Sequence, residues 1–170
     1  MKGIFTVIGP AGQRHTILIV IVKNHGDFTI NATYESGDLP VPQGTTVVKW
    51  TSYFEAPFGE DPGFVDIGAG SRYIELPELR GVGLGSFFMA LMIEWAQSLP
   101  EVPVATIYLS IDDAKTSAAK NSRNQFWRKL GFELILDETD SFGKSKPMLN
   151  SQLIRPELNL ADGWQIAEMR

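Results

Sequence analysis

The chain of 170 residues lacks cysteine altogether, has only two histidines, and contains no long hydrophobic run. Without cysteine, disulfides, thiolate metal ligands and a cysteine nucleophile are all excluded. The longest apolar runs, residues 17–22 and 87–93, are too short to cross a bilayer. The first residues also lack the pattern of a signal peptide. The sequence therefore predicts a soluble, cytoplasmic protein.

Positive charge is scarce as well. The chain has 15 Lys and Arg against 20 Asp and Glu, which gives a net charge of −5. Nucleic acids and anionic membranes require dense positive charge, so neither is a predicted partner, and the balance favours a cationic or neutral ligand. The length and the 44% of hydrophobic residues are typical of one domain with a buried core, which we take as residues 1–170.

The first fifty residues are rich in β-branched and aromatic residues separated by turn formers. They predict strands at residues 4–8, 17–22, 28–34 and 45–50. The run at 17–22 is apolar at every position, which predicts a central strand covered on both faces. A loop over residues 54–70 mixes acidic and aromatic side chains, a composition that suits the wall of a cleft and equally an ordinary surface loop.

Helical and strand patterns alternate in the rest of the chain. Periodicity predicts helices at 86–98 and 118–130, and strands at 71–76, 105–111, 132–136 and 148–154. Residues 137–146 are predicted as a polar loop, and residues 162–170 as a short helix or a loose tail. The fold class is therefore α/β, of the α+β kind, with a strand-rich N-terminal part.

A glycine-rich turn joins the predicted strand at 71–76 to the helix that follows. In this turn, residues 77–85, glycines at alternate positions let the backbone approach a ligand closely. The helix then presents unpaired N–H groups and a partial positive charge, which favour a phosphate or pyrophosphate, and Arg80 can add a charged contact. The alternative is a tight turn that only packs the helix.

Two common phosphate motifs do not fit this turn. A P-loop ends in Gly-Lys-Ser/Thr, whereas here Phe87 follows Gly85 and Ser86. A dinucleotide fingerprint needs a third glycine, and the two possible positions for it hold Ser86 and Phe88. Both motifs are excluded.

A third pattern does fit: Arg or Gln, two residues, Gly, one residue, Gly or Ala. Arg80, Gly83 and Gly85 match each fixed position, and the turn resembles the acetyl-CoA pyrophosphate loop of the GNAT superfamily of N-acetyltransferases. Such proteins continue with a strand and with a helix that ends in an aromatic pair, a basic residue and Gly-Phe. Here a predicted strand at 106–111 and the stretch 121–132 take these places. The resemblance covers about residues 70–137.

The resemblance implies a fold and a cosubstrate. The fold is a central mixed, mostly antiparallel sheet flanked by helices, in which two parallel strands, by position 73–76 and 106–111, splay apart around the pantetheine arm of acetyl-CoA. Backbone N–H groups of 82–86 would bind the pyrophosphate, and those near Glu75 and Leu76 the pantetheine and the thioester carbonyl. No metal is expected. The implied cofactor-binding residues are Ile74, Glu75, Leu76, Arg80, Gly81, Val82, Gly83, Leu84, Gly85, Ser86, Asn121, Asn124 and Trp127.

The resemblance also implies direct attack of an amine on the thioester, without a covalent enzyme intermediate. Glu75 is a candidate base, or else a solvated charge, while Asp66, Glu60, Asp112 and Asp113 are weaker candidates. Many family members protonate the thiolate with a tyrosine where this chain has Trp127, which we interpret as packing. Candidate acids are then Tyr108, Ser110 or water. His15 and His25 are expected at the surface, without a metal or triad partner.

The family usually places two helices between its first two strands, and residues 10–60 show little helical periodicity. The acceptor side is therefore expected to be built from the loop at 53–66. The first hypothesis is an acetyl-CoA-dependent N-acetyltransferase acting on a primary amine of a small molecule or a protein, with a cationic acceptor weakly favoured. The alternatives are a catalytically weak CoA- or acyl-CoA-binding sensor or interaction module, and a structural domain without a ligand. A homodimer and a monomer are both compatible with the sequence.

Overall fold

The computed structural model describes residues 1–68 and 72–169, which form a strand-rich first half followed by a mixed second half. The first half contains β1 (Lys2–Ile8), β2 (Arg14–Lys23), β3 (Asp27–Gly37), β4 (Thr45–Glu55) and β5 (Phe64–Asp66). The second half contains α1 (Leu84–Gln97), β6 (Tyr108–Leu109), α2 (Ser117–Lys129), β7 (Leu134–Leu136), β8 (Gly143–Ser145) and β9 (Gln165–Met169). Short 3-10 helices lie at Pro77–Leu79, Ile111–Ala114 and Asn150–Gln152.

An antiparallel sheet of six strands has the order β5-β4-β3-β2-β1-β9. Successive hairpins join β1 to β5, and β9 adds to the free edge of β1. The four strands predicted in the first fifty residues are confirmed, and each is longer than predicted. Strand β2 lies centrally between β1 and β3, but the prediction that both its faces are covered is wrong. Ile17, Ile19 and Ile21 are buried, whereas Val22 on the other face is 44% exposed.

Helix α1 packs its apolar side against the inner face of this sheet. Phe88 is fully buried and lies edge-on to Trp50 of β4, with ring centroids 5.9 Å apart. Trp95, two turns along, stacks on Phe28 of β3 at 5.3 Å. Burial of each such side chain contributes about 1.5–3 kcal/mol, so this layer holds the helix, and with it the preceding glycine-rich turn, against the sheet.

The second sheet has the order β6-β8-β7 and is antiparallel throughout. Helix α2 begins at a cap in which the Thr116 side chain accepts a hydrogen bond from the N–H of Ala119, and it ends before Gly131 at a φ of 98°. The left-handed conformation at Gly131 is the helix ending that the sequence predicts. With two helices and two separate antiparallel sheets in the described residues, the α+β prediction is confirmed.

Three predictions of local structure are wrong because non-local partners decide them. Residues 148–154 do not form a strand, since the side chain of Asn150 bonds to the backbone of Val102, Ala96 and Pro100 and a short 3-10 helix forms. The range 137–146 is not wholly loop, because β8 lies within it. The C-terminal stretch is neither a helix nor a tail: β9 pairs with β1.

The two strands expected to splay are also shorter than predicted. In the range 105–111 the ladder is confined to β6. Residues 72–76 contain bends and form no strand, and the carbonyls of Ile74 and Glu75 accept hydrogen bonds from Arg80 instead of from a neighbouring strand. Ser71, the first residue of that prediction, and Gly70, the last of the predicted loop, lie outside the described residues. Neither helix in the described residues is long and apolar enough to span a membrane.

His15 is buried, which corrects its predicted surface position, whereas His25 is exposed as expected. The Nδ1 atom of His15 lies 3.2 Å from the hydroxyl of Tyr34, and the His15 ring stacks on Trp164 with centroids 5.9 Å apart. Because the Tyr34 hydroxyl accepts the N–H of Leu39, it can donate its own proton to Nδ1. Burial lowers the pKa of His15 below 6.5, against the opposing fields of two nearby carboxylates, Asp38 and Glu78.

We expect this histidine to make the protein less stable in mild acid. A lowered pKa in the folded state means that the unfolded chain binds the proton more tightly, so the contribution is complete above pH 6.5 and is lost as the pH falls below it. The measurement is the melting temperature from pH 8 to 5 for the parent, His15→Gln and, as the exposed control, His25→Gln. The fall in melting temperature between pH 8 and pH 5 should be smaller in His15→Gln than in the parent and in His25→Gln. An equal fall in all three proteins would show that His15 is not the cause.

Candidate functional site

A cleft of about 1080 Å³ lies between the glycine-rich turn and helix α2. One wall is formed by the segment 72–74 and by the glycine loop, the name used here for residues 80–86. The other wall is formed by residues 106–109 and by one side of α2. The lining residues are Asp66, Gly68, Arg72, Tyr73, Ile74, Arg80, Gly81, Gly83, Gly85, Ser86, Thr106, Ile107, Tyr108, Leu109, Asp113, Ser122, Arg123, Gln125, Phe126, Trp127 and Lys129.

A short parallel contact between two segments of the chain lies beside the cleft. The N–H of Val65 donates to Pro103 O at 2.9 Å and the N–H of Ala105 donates to Val65 O at 2.8 Å, which makes a parallel bridge between Val65 and Val104. Beyond this bridge, one segment continues through Asp66 and the other through Thr106, and both residues line the cleft. The parallel contact therefore lies upstream of the residues 73–76 and 106–111 that the sequence indicated.

Gly68 and Trp127 both line the cleft, on opposite walls that approach closely. A Cβ atom on Gly68 would overlap Cδ1 of Ile107 and would lie 3.7 Å from Cη2 of Trp127. The glycine thus lets the side chains of the opposite wall approach the backbone closely. Trp127 is 8% exposed, and its ring is edge-on to Phe126 and Phe132, so it packs as expected and also lines the cleft.

The glycine loop ends at the start of α1. Gly83 precedes the helix at a φ of 100°, and Phe87 is the first residue whose N–H bonds back to it. In an α-helix the N–H groups of the first turn have no acceptor within the helix, and no side chain caps α1. The N–H groups of Leu84, Gly85 and Ser86 therefore remain available at the edge of the cleft, together with the positive end of the helix dipole.

Arg80 fastens the glycine loop to the segment before it. Its Nε donates to Ile74 O at 2.7 Å and its Nη2 to Glu75 O at 3.2 Å, while its guanidinium lies 5.7 Å from the centre of the Tyr73 ring. The side chain is exposed and lines the cleft, so it can both hold the loop and face an anion.

Glu75 is exposed and does not line the cleft. Its N–H donates to Val47 O at 2.9 Å and its carbonyl accepts from Arg80, so its backbone is already paired with the protein. Leu76, Val82 and Leu84 are buried in the core and hold the loop by packing. Glu75 was a candidate because of its place in the predicted strand at 71–76, and residues 72–76 form no strand.

Three further predicted residues lie on α2 or before it, and two of them have structural roles. Asn124 is 2% exposed: its Nδ2 donates to Asp140 O and its Oδ1 accepts from Arg123, which ties α2 to the following loop. Asn121 is exposed outside the cleft, and the Ser110 hydroxyl accepts the N–H of Asp112. Of the first-choice catalytic residues Glu75, Tyr108 and Ser110, Tyr108 is the one that lines the cleft, where it is 77% exposed. The weaker candidates Asp66 and Asp113 line it too.

Arg72 is the residue of the cleft that the sequence analysis missed. Its Nε donates to Ile67 O at 3.0 Å and its Nη2 to Thr51 O at 2.7 Å. Burial lowers its pKa to about 10, an effect that the nearby charges of Asp66 and Tyr53 partly oppose. No local pattern marks this arginine, because its burial depends on β4 folding over it.

Positive charge predominates in the cleft, although the whole chain is acidic. Arg72, Arg80, Arg123 and Lys129 line it against Asp66 and Asp113. A second cavity, of about 760 Å³ between β1, β2 and α1, has mainly apolar walls, including Phe5, Ile19 and Phe87. In the described parts of the chain no three His, Asp or Glu side chains are grouped to hold a metal. The cleft is thus the site suited to an anionic ligand.

Comparisons of the chain with protein-family models, with curated proteins and with solved structures found no match.

Proposed function

We propose that this chain is an acetyl-CoA-dependent N-acetyltransferase of the GNAT type. The observation that carries the proposal is a single cleft lined both by an Arg-x-x-Gly-x-Gly turn at an uncapped helix N-terminus and by residues that follow a parallel bridge between Val65 and Val104. A phosphate site on the wall of a large cleft suits a long ligand with a charged head and an extended arm.

The residues present fit this cosubstrate. The first-turn N–H groups of α1 would hold the diphosphate, with Arg80 and Lys129 as nearby cations. The walls formed by residues 72–74 and 106–109 would flank the arm. Acetyl-CoA, when bound, supplies an activated acetyl thioester. The chain itself would bind the phosphates, orient the acceptor amine and restrict water at the narrow end beside Trp127.

The catalytic groups of the proposal differ from those expected. Glu75 lies outside the cleft, so we do not propose it as the base. The Tyr108 hydroxyl lines the cleft and stays the candidate that protonates the departing thiolate, with water as the alternative. A CoA-binding sensor is the second candidate function, favoured by Trp127, which stands where many family members have their tyrosine.

Calorimetry with CoA and with acetyl-CoA tests the proposal. We expect micromolar binding of both, followed by thiol release when an acceptor amine is added. Binding without thiol release for any amine would favour the sensor, and no binding to a folded sample would exclude both functions.

A further inference from the structure

Arg72 is a half-buried cation without an anionic partner in the described residues. The ion pairs found there join Lys146 to Glu133 and Arg155 to Glu94. An arginine has five N–H donors, and within the described residues Arg72 uses two of them, on the carbonyls of Ile67 and Thr51, while its guanidinium lies 5.7 Å from the centre of the Trp50 ring. Burying a charge without a partner is unfavourable, so such a group in a cleft points to an anion that arrives with a ligand.

A carboxylate lies beside this arginine. Asp66 ends β5 and its Oδ1 accepts the N–H of Gly68 at 2.8 Å, which fixes the side chain and leaves Oδ2 without a donor in the described residues. Its negative charge acts on Arg72, yet the two groups do not form an ion pair. Both line the cleft. We call this pair of residues the acceptor end.

We infer that the acceptor end binds a small zwitterion that carries a primary amine and a carboxylate, as an amino acid does. Arg72 would hold the carboxylate by charge-assisted hydrogen bonds, and Asp66 would orient the ammonium toward the thioester. The inference depends on the proposed function, because it assigns the acceptor of that reaction.

The reaction balances without another reactant. The ammonium first loses a proton to solvent, and the amine nitrogen attacks the acetyl carbon. The N–C bond forms, the C–S bond breaks, and the remaining excess proton on nitrogen is lost while the CoA thiolate takes up a proton. The products are an N-acetylated amino acid and CoA thiol. Two fixed charges of opposite sign suit this acceptor better than a polyamine, which would leave Arg72 facing another cation.

The test compares acceptors that differ in a single charge. The full chain is given acetyl-CoA with each amino acid, with the corresponding amino acid amide, and with the corresponding decarboxylated amine, and thiol release is measured. At least one amino acid should be used with a kcat/KM about 10-fold or more above its amide and its amine. Arg72→Met should lower kcat/KM for the amino acid about 100-fold, mainly by raising KM, and should leave kcat/KM for the amide nearly unchanged.

The controls separate binding of the acceptor from folding and from binding of CoA. Arg128→Met, an exposed substitution on α2 outside the cleft, should change neither acceptor preference nor CoA affinity. If Arg72→Met does not fold, Asp66→Asn keeps the side-chain shape and can still accept the N–H of Gly68. This variant should raise the KM for the amino acid and leave calorimetric CoA binding intact.

The outcomes are distinguishable. Equal use of amino acids, amides and amines would overturn the zwitterion assignment and leave the transferase standing. The zwitterion assignment would also be overturned if Arg72→Met acetylated the amino acid as the parent does. If Arg72→Met does not fold, the same conclusion would follow from an unchanged rate in Asp66→Asn. Absence of both CoA binding and thiol release would overturn the proposed function and this inference together.

Discussion

Replacing Gly83 with alanine is expected to lower the free energy of unfolding by about 2–4 kcal/mol. The residue has a φ of 100°, where an L side chain costs about 1–2 kcal/mol. A Cβ atom would also lie 2.7 Å from the carbonyl oxygen of Asn159 and 3.0 Å from Cα of Leu160, so the backbone of the C-terminal segment has to move. For a chain of this length the melting temperature should fall by about 5–15 °C.

Two other glycines of the same loop serve as matched controls. Gly81 has a φ of 75°, but nothing lies within 4 Å of its Cβ position, so Gly81→Ala should show the strain alone. Gly85 lies in the helix with its Cβ position 4.0 Å from Trp50, and Gly85→Ala should be neutral or stabilising. If Gly83→Ala and Gly81→Ala have the same melting temperature, contact with the C-terminal segment does not stabilise the loop.

The C-terminal segment supports the glycine loop, and the resemblance gives no indication of this support. The N–H of Ala161 donates to Val82 O at 3.1 Å, so the segment before β9 holds the glycine loop from behind. About eighty residues separate the two in the chain, and no local pattern joins them. The sequence therefore predicts that the loop exists, but its shape depends on how the C-terminus folds back onto β1.

The predictions that are confirmed depend on local patterns. Alternating β-branched residues define β1 to β4, and apolar periodicity and Gly131 define the two helices. Strand β9 was missed because it has five residues and becomes a strand only by pairing with the edge of β1. The strand predicted at 148–154 failed for the opposite reason, since Asn150 gives the backbone another set of partners.

The site shows the same difference between features set by local sequence and features set by distant contacts. The sequence alone placed Arg80, Gly83, Gly85 and Trp127, and the structure brings all four to one cleft. It could not place Glu75, because the side on which a residue points follows from strand alternation only where a strand forms. It also missed Arg72, an ordinary arginine until β4 and β5 surround it.

Gly85→Glu is expected to abolish most CoA binding without destabilising the protein. The residue lies in the first turn of α1 and lines the cleft, so a carboxylate there would face the phosphates and should weaken binding about 100-fold or more. The same carboxylate interacts favourably with the helix dipole by about 0.3–1 kcal/mol, and the loss of a helical glycine adds up to about 1 kcal/mol. Calorimetry with CoA and a thermal melt measure the two effects on one sample.

The neutral variant Gly85→Gln separates charge from bulk. It places a side chain of nearly the same size at the same position, so any loss of CoA affinity beyond that seen for glutamine is electrostatic. The excess loss should diminish as salt is added, since screening weakens repulsion between exposed charges. If both variants bind CoA as the parent does, the phosphates do not lie against the first turn of α1, and the uncapped helix N-terminus only ends a tight turn that packs the helix on the sheet.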